Sequence, residues 1–123
     1  MRIKINRLDH VQICVPRGAE DAARDFYGNL LGLEEIEKPE PLKSHGGLWF
    51  KIADIQLHIG VEETPVHSKR HPAFEVENLR EIKEYLQGNG VRVRDEVPVP
   101  GASRFSFFDP FGNRIEFLER TAE

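Results

Sequence analysis

Hydrophobic and polar residues alternate along several short stretches of the chain, and each stretch leaves one polar face. At 10–15, Val11, Ile13 and Val15 share one side while His10, Gln12 and Cys14 share the other. At 55–61, Ile55, Leu57, Ile59 and Val61 oppose Gln56, His58 and Gly60. At 71–76, Pro72, Phe74 and Val76 oppose His71, Ala73 and Glu75; at 114–118, Ile115 and Phe117 oppose Arg114, Glu116 and Leu118. Side chains two apart share a face of a strand, so this period predicts strands with one apolar and one mostly polar side. Further strands are expected at 34–38, 46–52, 91–95 and 103–108.

Two stretches carry the helical period instead. Ala19, Ala22, Ala23, Phe26, Tyr27, Leu30 and Leu31 fall at the i, i+3, i+4, i+7 spacing of one buried stripe, with Gly32 as the expected C′ residue. A second helix is expected from Asn78, whose spacing to Glu81 resembles a capping box. Leu79, Ile82, Tyr85 and Leu86 form its apolar side, and Gly88 and Gly90 end it.

The order is strand, helix, three strands, and then the same again. This predicts an α+β chain built from two βαβββ modules, at about 1–61 and 71–120, joined by a linker at 62–70 that contains Pro65. His10 opens one module and His71 the other; Gln56 and Glu116 fall on their last strands. An antiparallel sheet with one wet face would show the same alternation. The residue types argue for more than that, because two imidazoles, a carboxylate and an amide occupy corresponding places.

Composition narrows the picture. With 123 residues, 39% apolar and 31% charged, the chain suits one globular domain able to bury its own core. A net charge of −4 gives no electrostatic reason to expect nucleic acid or an anionic membrane as partner. No apolar run approaches the roughly 20 residues that span a bilayer. The opening MRIKINRLDH lacks an apolar leader, and Cys14 is the single cysteine, so a cytoplasmic setting is expected. Cys14 reads as a small buried side chain rather than a nucleophile.

The segments LDHVQICV, DFYGNLLGLEEIEK, IQLHIG, HPAFEVENL and FSFFDPFGNRIEFLE together resemble the vicinal oxygen chelate superfamily of glyoxalases, bleomycin-resistance proteins, fosfomycin-modifying enzymes and extradiol dioxygenases. Asp109-Pro110-Phe111-Gly112-Asn113 reads as a Pro/Gly turn that delivers Glu116 to the polar side of its strand. The resemblance implies paired modules forming a cup-shaped mixed sheet with helices outside, usually as a homodimer. It also implies a divalent metal (Fe, Mn, Ni, Co or Zn) held by His10, His71 and Glu116, a donor set that leaves positions open for substrate.

The fourth strand departs from the glyoxalase I pattern, which commonly has Glu where this chain has Gln56. A carboxamide hydrogen-bonds or coordinates weakly but cannot act as a base. Two neutral imidazoles and one carboxylate around a divalent ion leave a net charge of about +1, so an anionic or oxygen-rich small molecule is the expected substrate. Gln56, His58 and Arg104 are the expected catalytic residues. Gln12, Trp49, Arg104 and Phe107 are expected to line the substrate site, with Phe105 and Arg114 as further candidates. His45 and His67 are expected to be surface positions.

The metal set suits a lyase or isomerase that polarises a bidentate oxygen substrate. Two other enzymes share it: an extradiol-type dioxygenase, usually longer, and a fosfomycin-type thiol transferase, whose relatives continue past the last strand. A non-enzymatic, bleomycin-resistance-like sequestering protein is the remaining class, and such proteins typically lack the metal ligands.

Overall fold

Each half of the chain forms the expected elements, with small shifts at their ends. The computed structural model describes residues 1–63 and 68–121, so His67 and part of the expected linker lie outside it. The chain divides into two compact units, Met1–Pro65 and Val66–Glu123.

The first unit contains β1 (His10–Val15), α1 (Glu20–Ala23), a π-helix (Arg24–Leu30), β2 (Glu34–Ile36), a 3₁₀ helix (Glu40–His45), β3 (Leu48–Ile52) and β4 (Ile55–Val61). The second contains β5 (Ala73–Glu75), α2 (Leu79–Gly88), β6 (Val93–Asp95), β7 (Ala102–Phe108) and β8 (Arg114–Arg120). Their sheets run β1-β4-β3-β2 and β5-β8-β7-β6, the same order twice. In each, the first strand lies parallel to the last and the remaining pairs are antiparallel. A parallel pair needs a long crossover between its strands, and the helix supplies it.

The predicted apolar faces are the cores. In the first unit Ile13, Val15, Leu48, Phe50, Leu57 and Ile59 are buried with Ala23, Phe26 and Tyr27. In the second, Phe105, Phe107, Ile115 and Leu86 are buried, and Phe117 stands edge-on to both Phe105 and Phe107. Each large buried side chain contributes about 1.5–3 kcal/mol of transfer free energy.

The helices differ from expectation in detail. The first is α-helical for one turn and then widens, with the Leu31 N–H donating five residues back to the Phe26 carbonyl. A widened turn brings the consecutive rings of Phe26 and Tyr27 inward together. Ala22, in the α-helical turn before it and expected in the buried stripe, is exposed. Gly32 ends the helix at φ +77°, the left-handed conformation of a C′ residue. In α2, Asn78 adopts φ +62° and its side chain caps nothing. The carboxylate of Glu119 on β8 does so instead, accepting the backbone N–H groups of Asn78 and Leu79 at 3.0 and 3.1 Å. Tyr85, expected on the apolar side, is half exposed, so the buried stripe of α2 narrows to Leu86 and its neighbours. Pro39 closes the segment after β2, and the unforeseen 3₁₀ helix follows it.

The two halves are out of step at their first strands. His10 pairs with Gln56, whereas Glu116 pairs with Ala73, two residues beyond His71. The backbone agrees, since Gln56 N–H donates to the Asp9 carbonyl and Glu116 N–H to that of Pro72. A slip of two residues preserves the face on which a side chain stands. His10 and His71 therefore keep the polar parity expected of them but not equivalent positions.

The turn before β8 forms as expected. Asp109 is buried, and its Oδ1 accepts the N–H groups of Phe111 and Asn113 at 2.9 and 2.8 Å while Oδ2 accepts the Asn113 amide at 2.8 Å. Replacing Asp109 with Ala strips these donors of their acceptor; a loss of about 2–3 kcal/mol in urea denaturation is the expected result.

Candidate metal and substrate site

In the first unit the polar face of the sheet is a column of rings. Trp49 on β3 stacks on His58 of β4 with centroids 3.9 Å apart and planes 4° from parallel. His58 in turn stacks on His10 of β1 at 4.1 Å. The register causes this, because Trp49 pairs with His58, and His10 lies two residues along β1 from Gln12, the partner of His58, and so on the same face. His58 is buried, and burial pushes its imidazole below the usual range; His10 and Lys38 push the same way and Asp9 opposes. Its Nε2 faces the Gln56 carboxamide oxygen at 2.9 Å. The His10 Nδ1 donates to Asp9 at 2.9 Å, which leaves His10 Nε2 as the nitrogen available to a ligand.

These residues line a cleft of about 660 Å³, together with Gln12, Lys38 and the 3₁₀ segment around Leu42 and His45. Gly60 keeps one wall open: a Cβ there would stand 2.8 Å from the Gln12 amide nitrogen. His45 is exposed, as expected, but it borders this cleft. Lys38 and Asp9 also border it and carried no sequence signal, because their places depend on how β2 and β1 end. Cys14 is partly buried, and burial, then the nearby Glu62 charge, pushes its thiol up, away from nucleophilic use.

In the second unit the polar face is ionic. Glu116 on β8 is 4% exposed, and its Oε1 accepts Arg104 Nη1 at 3.1 Å and lies 3.2 Å from His71 Nε2. The other ring nitrogen of His71 donates to the Lys69 carbonyl at 2.8 Å. Arg104 is held from behind by the Val97 carbonyl at 2.9 Å. Beside this group, Glu96 accepts Ser106 Oγ at 2.6 Å and Arg114 Nη2 at 2.7 Å. Sequence reasoning missed Glu96 because it lies beyond β6, where no periodic pattern marks it. Phe107, expected at the substrate site, is wholly buried in the Phe105–Phe117 cluster, since β7 turns Phe105 and Phe107 to the core and Arg104 and Ser106 to the polar face. Among the described residues no three His, Cys, Asp or Glu side chains form a group able to hold a metal.

The same register position thus carries different chemistry in the two sheets: Trp49 opposite His58 in one, Arg104 opposite Leu118 in the other. One polar face is aromatic and amide-bearing, and the other is charged.

Residues 7–117 match the family model of the Glyoxalase/Bleomycin resistance protein/Dioxygenase superfamily, and the chain belongs to that family. No match was found among the curated proteins. Among solved structures, a glyoxalase family protein from Bacillus anthracis is 49% identical, with 98% of this chain and 100% of that chain covered and a TM-score of 0.91. The fosfomycin resistance protein FosX from Listeria monocytogenes shares the fold at 22% identity, with 96% of each chain covered and a TM-score of 0.76. Lactoylglutathione lyase from Agrobacterium tumefaciens shares it at 19% identity, with 94% of each covered and a TM-score of 0.74. No helix among the described residues is long and apolar enough to cross a membrane.

The Ser106 hydroxyl holds the Glu96 carboxyl below its ordinary value of 4.5; burial opposes this, and the Arg114 guanidinium adds to it. A depressed carboxyl pKa stabilises the fold fully above that ordinary value, and the contribution is lost as pH falls through the folded pKa. Glu96→Gln is expected to flatten the acid side of the stability–pH curve below about pH 4.5, as read by urea midpoints at stepped pH.

Proposed function

We propose that the chain is a metal-dependent enzyme of the glyoxalase superfamily that acts on a small molecule through a bidentate oxygen group, in the manner of a lyase or isomerase. His71 and Glu116 are its metal ligands in the second module. His10 is the third, supplied by this chain or by a second copy in a homodimer.

The observation that carries this reading is the approach of His71 to Glu116. His71 Nδ1 faces a carbonyl, which only accepts, so that nitrogen bears the proton. In the neutral ring Nε2 then presents a lone pair to a carboxylate oxygen 3.2 Å away. Two lone pairs do not attract, so the pair is held either by a second ring proton, as an imidazolium–carboxylate ion pair, or by a metal ion that both atoms bind; the metal is the reading proposed. Arg104 offsets the carboxylate charge from one side but does not separate these two atoms. Donors bound at about 2.0–2.2 Å stand roughly 3.0–3.5 Å apart when they are neighbours around one ion, which fits the spacing observed. His10 supports the reading in the same way, with its Nδ1 committed to Asp9 and its Nε2 left over.

A divalent ion bound there supplies Lewis acidity toward a substrate oxygen. The protein supplies the rest. The Lys69 carbonyl fixes the ring plane of His71, and Arg104 offsets the Glu116 charge. Gln56 takes no part as a base, since a carboxamide has no proton affinity to offer near neutral pH.

Metal analysis of protein purified without added metal tests this. The wild type is expected to retain a divalent ion, and His71→Ala and Glu116→Gln to lower the retained metal by roughly tenfold or more. Equal metal contents in all three would sink the proposal. Thiol-dependent loss of methylglyoxal would then mark the glyoxalase branch, and dioxygen uptake with catechols the dioxygenase branch.

A further inference from the structure

We infer that Gln56 is a hydrogen-bond donor to an anionic oxygen rather than a metal ligand, and that with Lys38 it forms an oxyanion-binding subsite in the cleft of the first module. This deepens the proposed function by naming the substrate class, a small molecule bearing a carboxylate or phosphonate-like oxyanion. It rests on that reading only for the use to which the subsite is put.

The carboxamide of Gln56 has one accepting and one donating end, and His58 determines which end faces the cleft. His58 Nε2 meets the Gln56 oxygen at 2.9 Å. A carboxamide oxygen only accepts, so Nε2 carries the proton and the oxygen is engaged. The remaining end of the side chain is the NH₂ group, a donor. Stacking of the His58 ring between Trp49 at 3.9 Å and His10 at 4.1 Å holds its Nε2 toward Gln56. A neighbouring carboxylate at position 56 would be an acceptor whichever way it turned. The amide thus offers at this position a donor that a carboxylate lacks.

Lys38 supplies the charge. It is partly buried, borders the same cleft, and one of its three N–H groups is used by the Gly46 carbonyl. Lys43 and Lys83 pair with Glu37 and Asp95, but among the described residues no carboxylate pairs with Lys38. Asp9, the acid that borders the cleft, is already shared between Arg7 and His10. Two donors of an ammonium and those of an amide thus remain for a ligand in a space of about 660 Å³, a volume suited to a small molecule. A hydrogen bond to a charged group is among the stronger contacts available there.

Trp49, the single tryptophan, stacks on the ring that holds Gln56 and so reports on the subsite. Metal-stripped protein is titrated at constant ionic strength with inorganic phosphate and, separately, with acetate, following Trp49 fluorescence. A saturable change is expected with at least one anion, and the stronger responder identifies a phosphoryl-like or a carboxylate ligand. Lys38→Gln and Gln56→Leu are each expected to weaken it by roughly tenfold, and Gln56→Glu to abolish it. Gln56→Leu is also expected to keep the wild-type metal content. No saturable response in the wild type overturns the proposal, as does unchanged anion binding in Gln56→Glu. Loss of metal from Gln56→Leu overturns it too, by making Gln56 a ligand. Far-ultraviolet circular dichroism checks folding, and Lys38→Gln decides if the position 56 variants do not fold. Because the anion arm uses metal-free protein, it succeeds or fails apart from the metal reading.

Discussion

Everything at the candidate site depends on the pairing of the first strand of each module with its last. A parallel pair joined through a helix must place that helix on one face of the sheet, and the face it covers becomes the core. The opposite face is then free to carry polar side chains at every second position. His10, Gln56 and His58 stand on it in one sheet, and Arg104, Ser106 and Glu116 in the other. A slip of one residue in either pair would exchange these with Leu57 or Phe117 and destroy core and site together.

The two modules use this shared frame for different physics. Burying a carboxylate such as Glu116 is costly unless its oxygens are engaged, and the Arg104 guanidinium donates to one of them. Burying a neutral imidazole such as His58 is much less costly, and stacking against Trp49 and His10 recovers contact on both ring faces. The first arrangement suits the binding of a cation. The second suits a flat or anionic organic group. Glu96 and Val97, just beyond β6, reach across the second sheet to hold Arg114, Ser106 and Arg104 in place, a supporting layer that lies outside every regular element.

Much of this was legible from the chain alone. The period-two stretches at 10–15 and 55–61 match β1 and β4 residue for residue, and the turn expected at Asp109–Asn113 forms, closed by hydrogen bonds to the Asp109 carboxylate. Glu116 lands on the polar face, as its neighbours Ile115 and Phe117 require. Failures came where a distant partner decides. Asn78 looked like a cap, but the Glu119 carboxylate takes that role from the far side of the sheet. Phe107 looked like a cleft wall because aromatic residues suit both roles; its pairing with Ile115 puts it in the core.

Alternation, helix period and turn chemistry are local properties, since they depend on residues a few positions apart. The sequence by itself therefore determined the repeated βαβββ order, the buried faces and the set of polar residues that share a face. Tertiary structure decided the quantities that depend on strand register and ring packing: the two-residue offset between His10 and His71, the stack through His58, and the end of the Gln56 amide that faces the cleft. These depend on pairings between residues tens of positions apart, which no local pattern encodes.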